Sequence, residues 1–305
     1  MPFLRGGQPA FAPEAAVAVV GSANLDVVLS TRSLPRPGET VMGDGVSHYA
    51  GGKGLNQALS AARLASTAFI GAVGNDVAAE SLESALTGAG VDTRFLQRAD
   101  DVSGVAYISV SHDGENSIIV VPGANSTVSS DLVTSALAQL GPDVVVTQLE
   151  TPVESVLAAA EWCDLTGKRW VFNPSPLDQW DALAVDHPLR EAISSADPLI
   201  VNVGEARGLL VDAAELPAEA LARHLGLIAR SVIVTDGSRG AHVVSNGVYS
   251  LVEARAVSPV DTTGAGDSFA GTIAAALSDG CDLVDAAIAA SAAAALVVQT
   301  ARHER

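Results

Sequence analysis

Positive charge is scarce in this sequence. Lys and Arg number 17 against 35 Asp and Glu, a net charge of −18 over 305 residues. That balance excludes a general nucleic-acid surface and attachment to an anionic membrane. It does not exclude a phosphate ligand, because helix N-termini and a bound divalent cation can receive one locally. Cysteine is rarer still. Only Cys163 and Cys281 occur, both in helical-looking segments and without metal-ligand or redox spacing. Two reduced thiols are expected, not a disulfide. Long apolar runs are also missing. The longest uncharged run, residues 286–301, is alanine-rich and too short to span a bilayer. Residues 1–14 lack the continuous apolar core of a signal peptide. The expectation is a soluble cytoplasmic protein, with a flexible tail over 1–14 and one α/β domain over 15–305.

Several chemistries are missing too. None of the six histidines (His48, His112, His187, His224, His242 and His303) pairs with another at metal-ligand spacing. There is no Gly-x-Ser-x-Gly elbow and no Gly-x-x-x-x-Gly-Lys-Ser/Thr phosphate loop. Short-period repeats and long low-complexity linkers are absent.

What is present is an alternation of apolar runs with helical segments. Runs ending near Val20, Val73, Thr147, Phe172, Val201 and Val234 are short and apolar on both sides. Such strands, separated by helices, build a parallel sheet covered on both faces. Polar residues recur just after the strand ends, where open α/β sheets bind ligands. Two stretches, 26–50 and 104–122, break the rhythm and read as antiparallel ribbon. In the second, Ala106, Ile108 and Val110 alternate with Tyr107, Ser109 and Ser111, and Asp113-Gly114 supplies a turn. Together they are expected to form a small sheet projecting as a lid. Asn246-Gly247 signals a later hairpin.

The most informative stretch is Asp261-Thr262-Thr263-Gly264-Ala265-Gly266-Asp267. Phe269, Ile273, Ala276 and Leu277 come after it at helical spacing, so the Gly-Ala-Gly run opens a helix. Its N–H groups and the helix dipole make an anion site. A carboxylate there is unfavourable unless Asp267 must take a proton beside a transferring phosphate. Gly51-Gly52-Lys53-Gly54-Leu55-Asn56-Gln57-Ala58 is a second motif. Its glycines permit close backbone approach to a polar ligand, with Lys53 and Asn56 as donors; a plain tight turn into a helix reads equally well. Asn24 and Asp26 alternate along an extended segment and suit sugar hydroxyls, or else cap a turn. The loop Thr235-Asp236-Gly237-Ser238-Arg239-Gly240 suits a nucleotide phosphate or is a simple turn. Glu205, near Asn202, holds a magnesium-bound water or merely charges the first turn of a helix.

Taken in order, these motifs resemble the ribokinase family of sugar kinases, the phosphofructokinase B type. Pro37-Gly38-Glu39-Thr40, Pro122-Gly123-Ala124-Asn125 and Gln148-Leu149-Glu150 add to the match, which runs from about residue 17 to about residue 298. The resemblance implies a three-layer α/β sandwich with a mostly parallel central sheet and a small β-sheet lid. It implies ATP-dependent phosphorylation of a sugar's primary 5-hydroxyl, D-ribose first, with magnesium. Asp267 would be the base, with the N–H groups of Gly264, Ala265, Gly266 and Asp267 as anion hole. Asn24, Asp26, Gly52, Lys53, Asn56 and Glu150 would hold the sugar. Asn202, Thr235, Gly237, Ser238, Gly240 and Gly266 would hold ATP, and Glu205 the metal through water. Asp261 and Thr263 match positions that bind an activating potassium ion, and the lid commonly pairs two subunits into a homodimer.

The C-terminus departs from the family pattern. Arg302 stands near an expected glycine and the chain stops at Arg305, so the potassium site is expected to be incomplete: either the cation is absent, or Arg302 substitutes for it electrostatically. Kinases for 2-deoxyribose, fructose or a nucleoside stay open within the class. Outside it stands a non-catalytic sugar-binding protein, against which the intact Asp267 and Gly-Ala-Gly run argue.

Overall fold

A computed structural model describes residues 15–177, 186–210 and 212–302. The segment 1–14, read as a tail, lies outside them. Strand β1 (Val17–Val20) is buried along its whole length, and its side chains divide between two cores. Val17 and Val19 face one, Ala18 and Val20 the other, as the period of two requires. On the first side lie the helices Lys53–Ala62, Val77–Gly88, Ala265–Ser278 and Leu283–Gln299. On the second lie Ser130–Leu140, Val153–Thr166 and Ala218–Leu225. The result is the expected three-layer sandwich. Each fully buried Leu, Ile or Phe in these two cores contributes roughly 1.5–3 kcal/mol.

From β1 the chain passes straight into the lid. After Gly21, Ser22 and Ala23 it forms β2 (Asn24–Thr31), which pairs antiparallel with β3 (Gly43–Gly51). Next come β4 (Thr67–Val73) and β5 (Asp92–Arg98), parallel partners at one end of the main sheet. The second lid ribbon is β6 (Gly104–Ser111) with β7 (Asn116–Val121), turned at Gly114 with φ 86°. The remaining strands are β8 (Val144–Thr147), β9 (Arg169–Phe172), β10 (Leu199–Asn202), β11 (Ser231–Thr235), β12 (Ala241–Ser245) and β13 (Val248–Val252). The main sheet runs β13-β12-β11-β10-β9-β8-β1-β4-β5 and is parallel except at the β11-β12-β13 end. Asn246 and Gly247 take positive φ in the β12–β13 turn, the hairpin their sequence signalled.

Two features of the fold went unread and one expectation needs correction. The two lid ribbons are antiparallel within themselves, but β2 and β6 join them in parallel, in the order β3-β2-β6-β7. Strand β5, Asp-Thr-Arg-Phe-Leu-Gln-Arg, went unread because an edge strand carries polar residues at most positions. Cys281 lies between two helices, not within one. Cys163 is buried in Val153–Thr166, where burial, helped by the charge of Asp164, pushes its thiol up to about 12. Both thiols are free.

Candidate active site

The parallel strands all end at one edge of the sheet, and their register aligns the segments that leave them. Val20 pairs with Thr147, so Gly21-Ser22 lies beside Gln148-Leu149-Glu150. Asn202 pairs with Thr235, which sets Asn202 beside the Gly237 loop. Three helices begin at this edge with N-termini that carry no side-chain cap, Lys53–Ala62 after Gly52, Val153–Thr166 after Pro152 and Ala265–Ser278 after Gly264. Elsewhere Asp76, Ser129 and Asp282 cap their helices with side-chain oxygens. In Lys53–Ala62 the first N–H groups donate to Glu150 Oε2 and to Ser22 Oγ and O, whereas the start of Ala265–Ser278 keeps N–H groups for another acceptor. Gly264 sits at φ 76°, left-handed backbone that glycine adopts without strain. Ala265 N–H reaches Thr262 O at 3.3 Å, so Gly266 and Asp267 supply the more open donors.

Asp267 is the centre of the polar network. Asn56 Nδ2 donates to its Oδ2 at 3.1 Å and Gln57 Nε2 to its Oδ1 at 3.0 Å. Burial pushes this carboxyl above its ordinary range, while Lys53 and the two amide donors pull it back only in part. For Lys53 burial works against the charge, but Asp267, Glu150 and Glu205 outweigh it and hold the ammonium above its usual value. Glu150 Oε2 accepts from Ser22 Oγ at 2.5 Å and from Lys53 N–H at 3.0 Å, tying the Gly-Gly-Lys-Gly turn to the end of β8. Gly54 makes that junction possible. A Cβ there would stand 2.5 Å from Ser22 N and 2.6 Å from Gly21 C.

The lid root closes the other side. Asn24 and Asp26 are both buried and share one face of β2. Asn24 Oδ1 accepts from Asn125 Nδ2 at 2.7 Å, so the Pro122-Gly123-Ala124-Asn125 motif fixes its amide. Asp26 accepts from Arg302, whose guanidinium also lies 4.8 Å over the Tyr49 ring. The charge expected to serve Asp261 is thus paired with Asp26. His48 is exposed on β3.

On the far side Asn202 and Glu205 form a capping box. Asn202 Oδ1 accepts from Glu205 N–H, and Glu205 Oε2 from Asn202 N–H, both at 2.9 Å. Thr235 ends β11, and Gly237–Arg239 is a single 3₁₀ turn with Ser238 exposed and Gly240 buried. Asp261 Oδ1 accepts from Thr263 N–H at 2.9 Å. Beside this half of the edge lies an open depression of about 290 Å³, lined in part by Leu251, Val284 and Ile288.

Sequence reasoning passed over one feature and gave another, Arg302, a different partner. Gln57 and Gln148 form a buried amide chain: Gln148 Nε2 donates to Gln57 Oε1 at 2.6 Å, and Gln57 donates on to Asp267 and to Asn173 Oδ1. Both stood inside quoted motifs; the signal for Gln57 was an amide on an otherwise apolar, alanine-rich helix face, and for Gln148 an amide just after a fully buried strand. The pairing of Arg302 with Asp26 had no local signal, since nothing in Ala301-Arg302-His303 indicates where the chain turns.

The profile of the pfkB family of carbohydrate kinases matches residues 14–303. The ribokinase of Bacillus subtilis is 34% identical over 286 residues, 92% of each chain. The crystal structure of a Thermotoga maritima ribokinase superposes with a TM-score of 0.82 at 31% identity, over 94% of this chain and 93% of that one. An Arabidopsis thaliana ribokinase, solved with ribose and ATP, gives a TM-score of 0.79 at 29% identity over 94% and 93%. A buried aspartate at an uncapped helix N-terminus, buried polar side chains at the root of a β lid, and similarity along nearly the whole length agree: the chain belongs to the pfkB family of carbohydrate kinases.

Proposed function

We propose that this kinase transfers the γ-phosphoryl group of ATP to the 5-hydroxyl of D-ribose. The observation that carries the reading is Asp267: buried, held at both oxygens by Asn56 and Gln57, raised above the ordinary carboxylate range, and seated in the first turn of an uncapped helix. The ribokinases it resembles, one of them solved with ribose and ATP, supply the substrate.

In this reading the sugar lies between the lid root and the Lys53 turn. Asn24, Asp26, Lys53, Asn56 and Glu150 face its hydroxyls, with Gly52 allowing close approach. Asp267 takes the proton of the 5-hydroxyl as its oxygen attacks phosphorus, and the proton stays on the carboxyl until product leaves. The N–H groups at the start of Ala265–Ser278 receive charge on the transferring phosphoryl, an arrangement that costs no reorganisation during the step. Asn202 and the loop from Thr235 to Gly240 hold the nucleotide. The depression between Leu251, Val284 and Ile288, rimmed by Glu253, Arg255 and Ser291, suits a purine face with polar edges.

Magnesium fits the donor set only as a nucleotide-borne ion. Glu205 has one oxygen committed to the capping box, and no group of three His, Cys, Asp or Glu that could hold a metal occurs among the described residues. An ion that keeps its waters and rides on the phosphates needs no more than one such carboxylate. When bound it neutralises phosphate charge. Asp261 and Thr263 remain the proposed seat of potassium. Weak activation is expected, because the nearby Val298 carbonyl already accepts from the N–H groups of Val260 and Asp261.

The lid supports a homodimer. Its inner face buries Asp26, Ala106 and Ile108, while its outer face exposes Tyr107, Ile119 and Val121 with Val46. A second copy is the proposed cover. The test of the substrate is ADP release from ATP across D-ribose, 2-deoxyribose, D-fructose and nucleosides, run in potassium and in sodium salts. D-ribose is expected to give the highest kcat/KM, with potassium raising it by less than about threefold. A nucleoside or 2-deoxyribose preferred over D-ribose would replace the substrate assignment.

A further inference from the structure

Arg302 reaches out from beyond the helix Leu283–Gln299 and turns back to the lid. Its Nη2 donates to Asp26 Oδ2, and its guanidinium covers the Tyr49 ring at 4.8 Å. Asp26 and Tyr49 are cross-strand partners on β2 and β3, so the two contacts make one socket at the root of the lid. The ion pair is largely shut off from water, with side chains 15% and 10% exposed. Such a pair is costly to desolvate and fragile to the loss of one partner. The last turn of that helix also touches the approach to the anion site, where Val298 O accepts from Val260 and Asp261 N–H at 2.8 and 3.2 Å.

The charges around the cradle explain what this pair does. Asp26, Glu150 and Asp267 bring three carboxylates, and Lys53 answers with one ammonium. Burial, and then Glu150, push the Asp26 carboxyl up; the Arg302 bond and charge oppose them. A carboxylate offers about four acceptor positions. Arg302 occupies one of them on Oδ2 and leaves Oδ1 to other donors. Because the guanidinium charge is spent on Asp26, the cradle as a whole suits a neutral polyol over an anionic substrate.

We propose that Arg302 completes the sugar site from the C-terminal tail, as a positioning residue that holds the Asp26 carboxylate ready for the hydroxyls of a neutral sugar. The proposal rests on the reading of Asp26 as a sugar ligand. It assigns to the tail a role in substrate binding that neither the Gly-Gly-Lys-Gly turn nor the lid supplies alone.

The experiment compares Arg302→Met, which keeps an apolar stem over Tyr49, with Arg302→Lys, which restores charge. The parent protein is assayed first. If it fails to use D-ribose, the substrate reading falls, and Arg302 is tested with whichever sugar of the panel it does phosphorylate. Arg302→Met is expected to raise the sugar KM about tenfold, the size of one lost charged hydrogen bond, and to change the ATP KM by less than about twofold. Its sugar KM should also worsen more steeply than the parent's as pH falls, because Asp26 then faces only Glu150 and the Tyr49 ring. Arg302→Lys should recover part of the loss. Calorimetric titration of the folded variant with sugar alone repeats the reading without turnover. A lower sugar KM in Arg302→Met would overturn the proposal, since the guanidinium would then compete with sugar for Asp26. An unchanged sugar KM, or equal damage to sugar and ATP, would overturn it as well.

Discussion

Asp267 is held in tension by its neighbours. Burial favours the protonated acid, while Lys53, Gln57 and Asn56 favour the carboxylate, and the balance leaves its pKa above the ordinary value. That balance fixes the sign of the pH dependence. As pH falls through the raised pKa, Asp267 gains a proton and can no longer accept one, so kcat/KM should fall on the acid side at a higher pH than an ordinary carboxylate gives. Lys53→Met removes the largest opposing influence. It should move that acidic limb upward and raise the sugar KM more than the ATP KM. A limb that stays in place, or an effect on ATP alone, would remove Lys53 from the sugar side. The charged members of this cluster were legible in the sequence because each stands in a Gly-rich motif that marks close backbone approach. Gln57 was not singled out, because an amide within a helix gains meaning only when a partner 210 residues away arrives beside it. Arg302 was still less legible: its partner Asp26 is 276 residues distant, and no periodicity links a tail to a lid.

At the scale of elements, the site depends on one close junction. The helix Lys53–Ala62 crosses the end of β1 at Gly54, and Leu55 N–H donates to Ser22 O at 2.8 Å. Gly54→Ala would drive its Cβ into the backbone of Gly21 and Ser22, which no side-chain rotation relieves. Overpacking of this kind costs about 1–3 kcal/mol. The urea midpoint should fall accordingly, and sugar binding should weaken because Lys53 and Asn56 ride on the displaced turn. An unchanged midpoint would show that the two backbones separate freely. The core strands were readable from the sequence because two-sided burial leaves continuous apolar runs. The polar edge strand β5 was not, and neither was the parallel seam between β2 and β6, because pairing partners far apart in sequence leave no local pattern.

At the scale of the whole molecule, three layers bring distant segments to one edge of one sheet, and the lid leaves the core only three residues after β1. Its outer face exposes an apolar patch of Val46, Tyr107, Ile119 and Val121. Ile119 is 65% exposed and lies opposite Tyr107, itself 47% exposed. If two copies pair there, Ile119→Glu should convert a dimer to a monomer in sedimentation velocity; a monomeric parent would contradict the proposed pairing. Among the described residues no helix is long and apolar enough to cross a membrane. The chemistry at this edge turns on the proton acceptor. The most direct measurement is the turnover of Asp267→Asn with D-ribose and ATP, set beside calorimetric binding of the sugar to the same protein. We expect kcat to fall about 10²–10⁴-fold while sugar affinity stays within a few-fold of the parent. Turnover retained near the parent's rate would contradict Asp267 as the base.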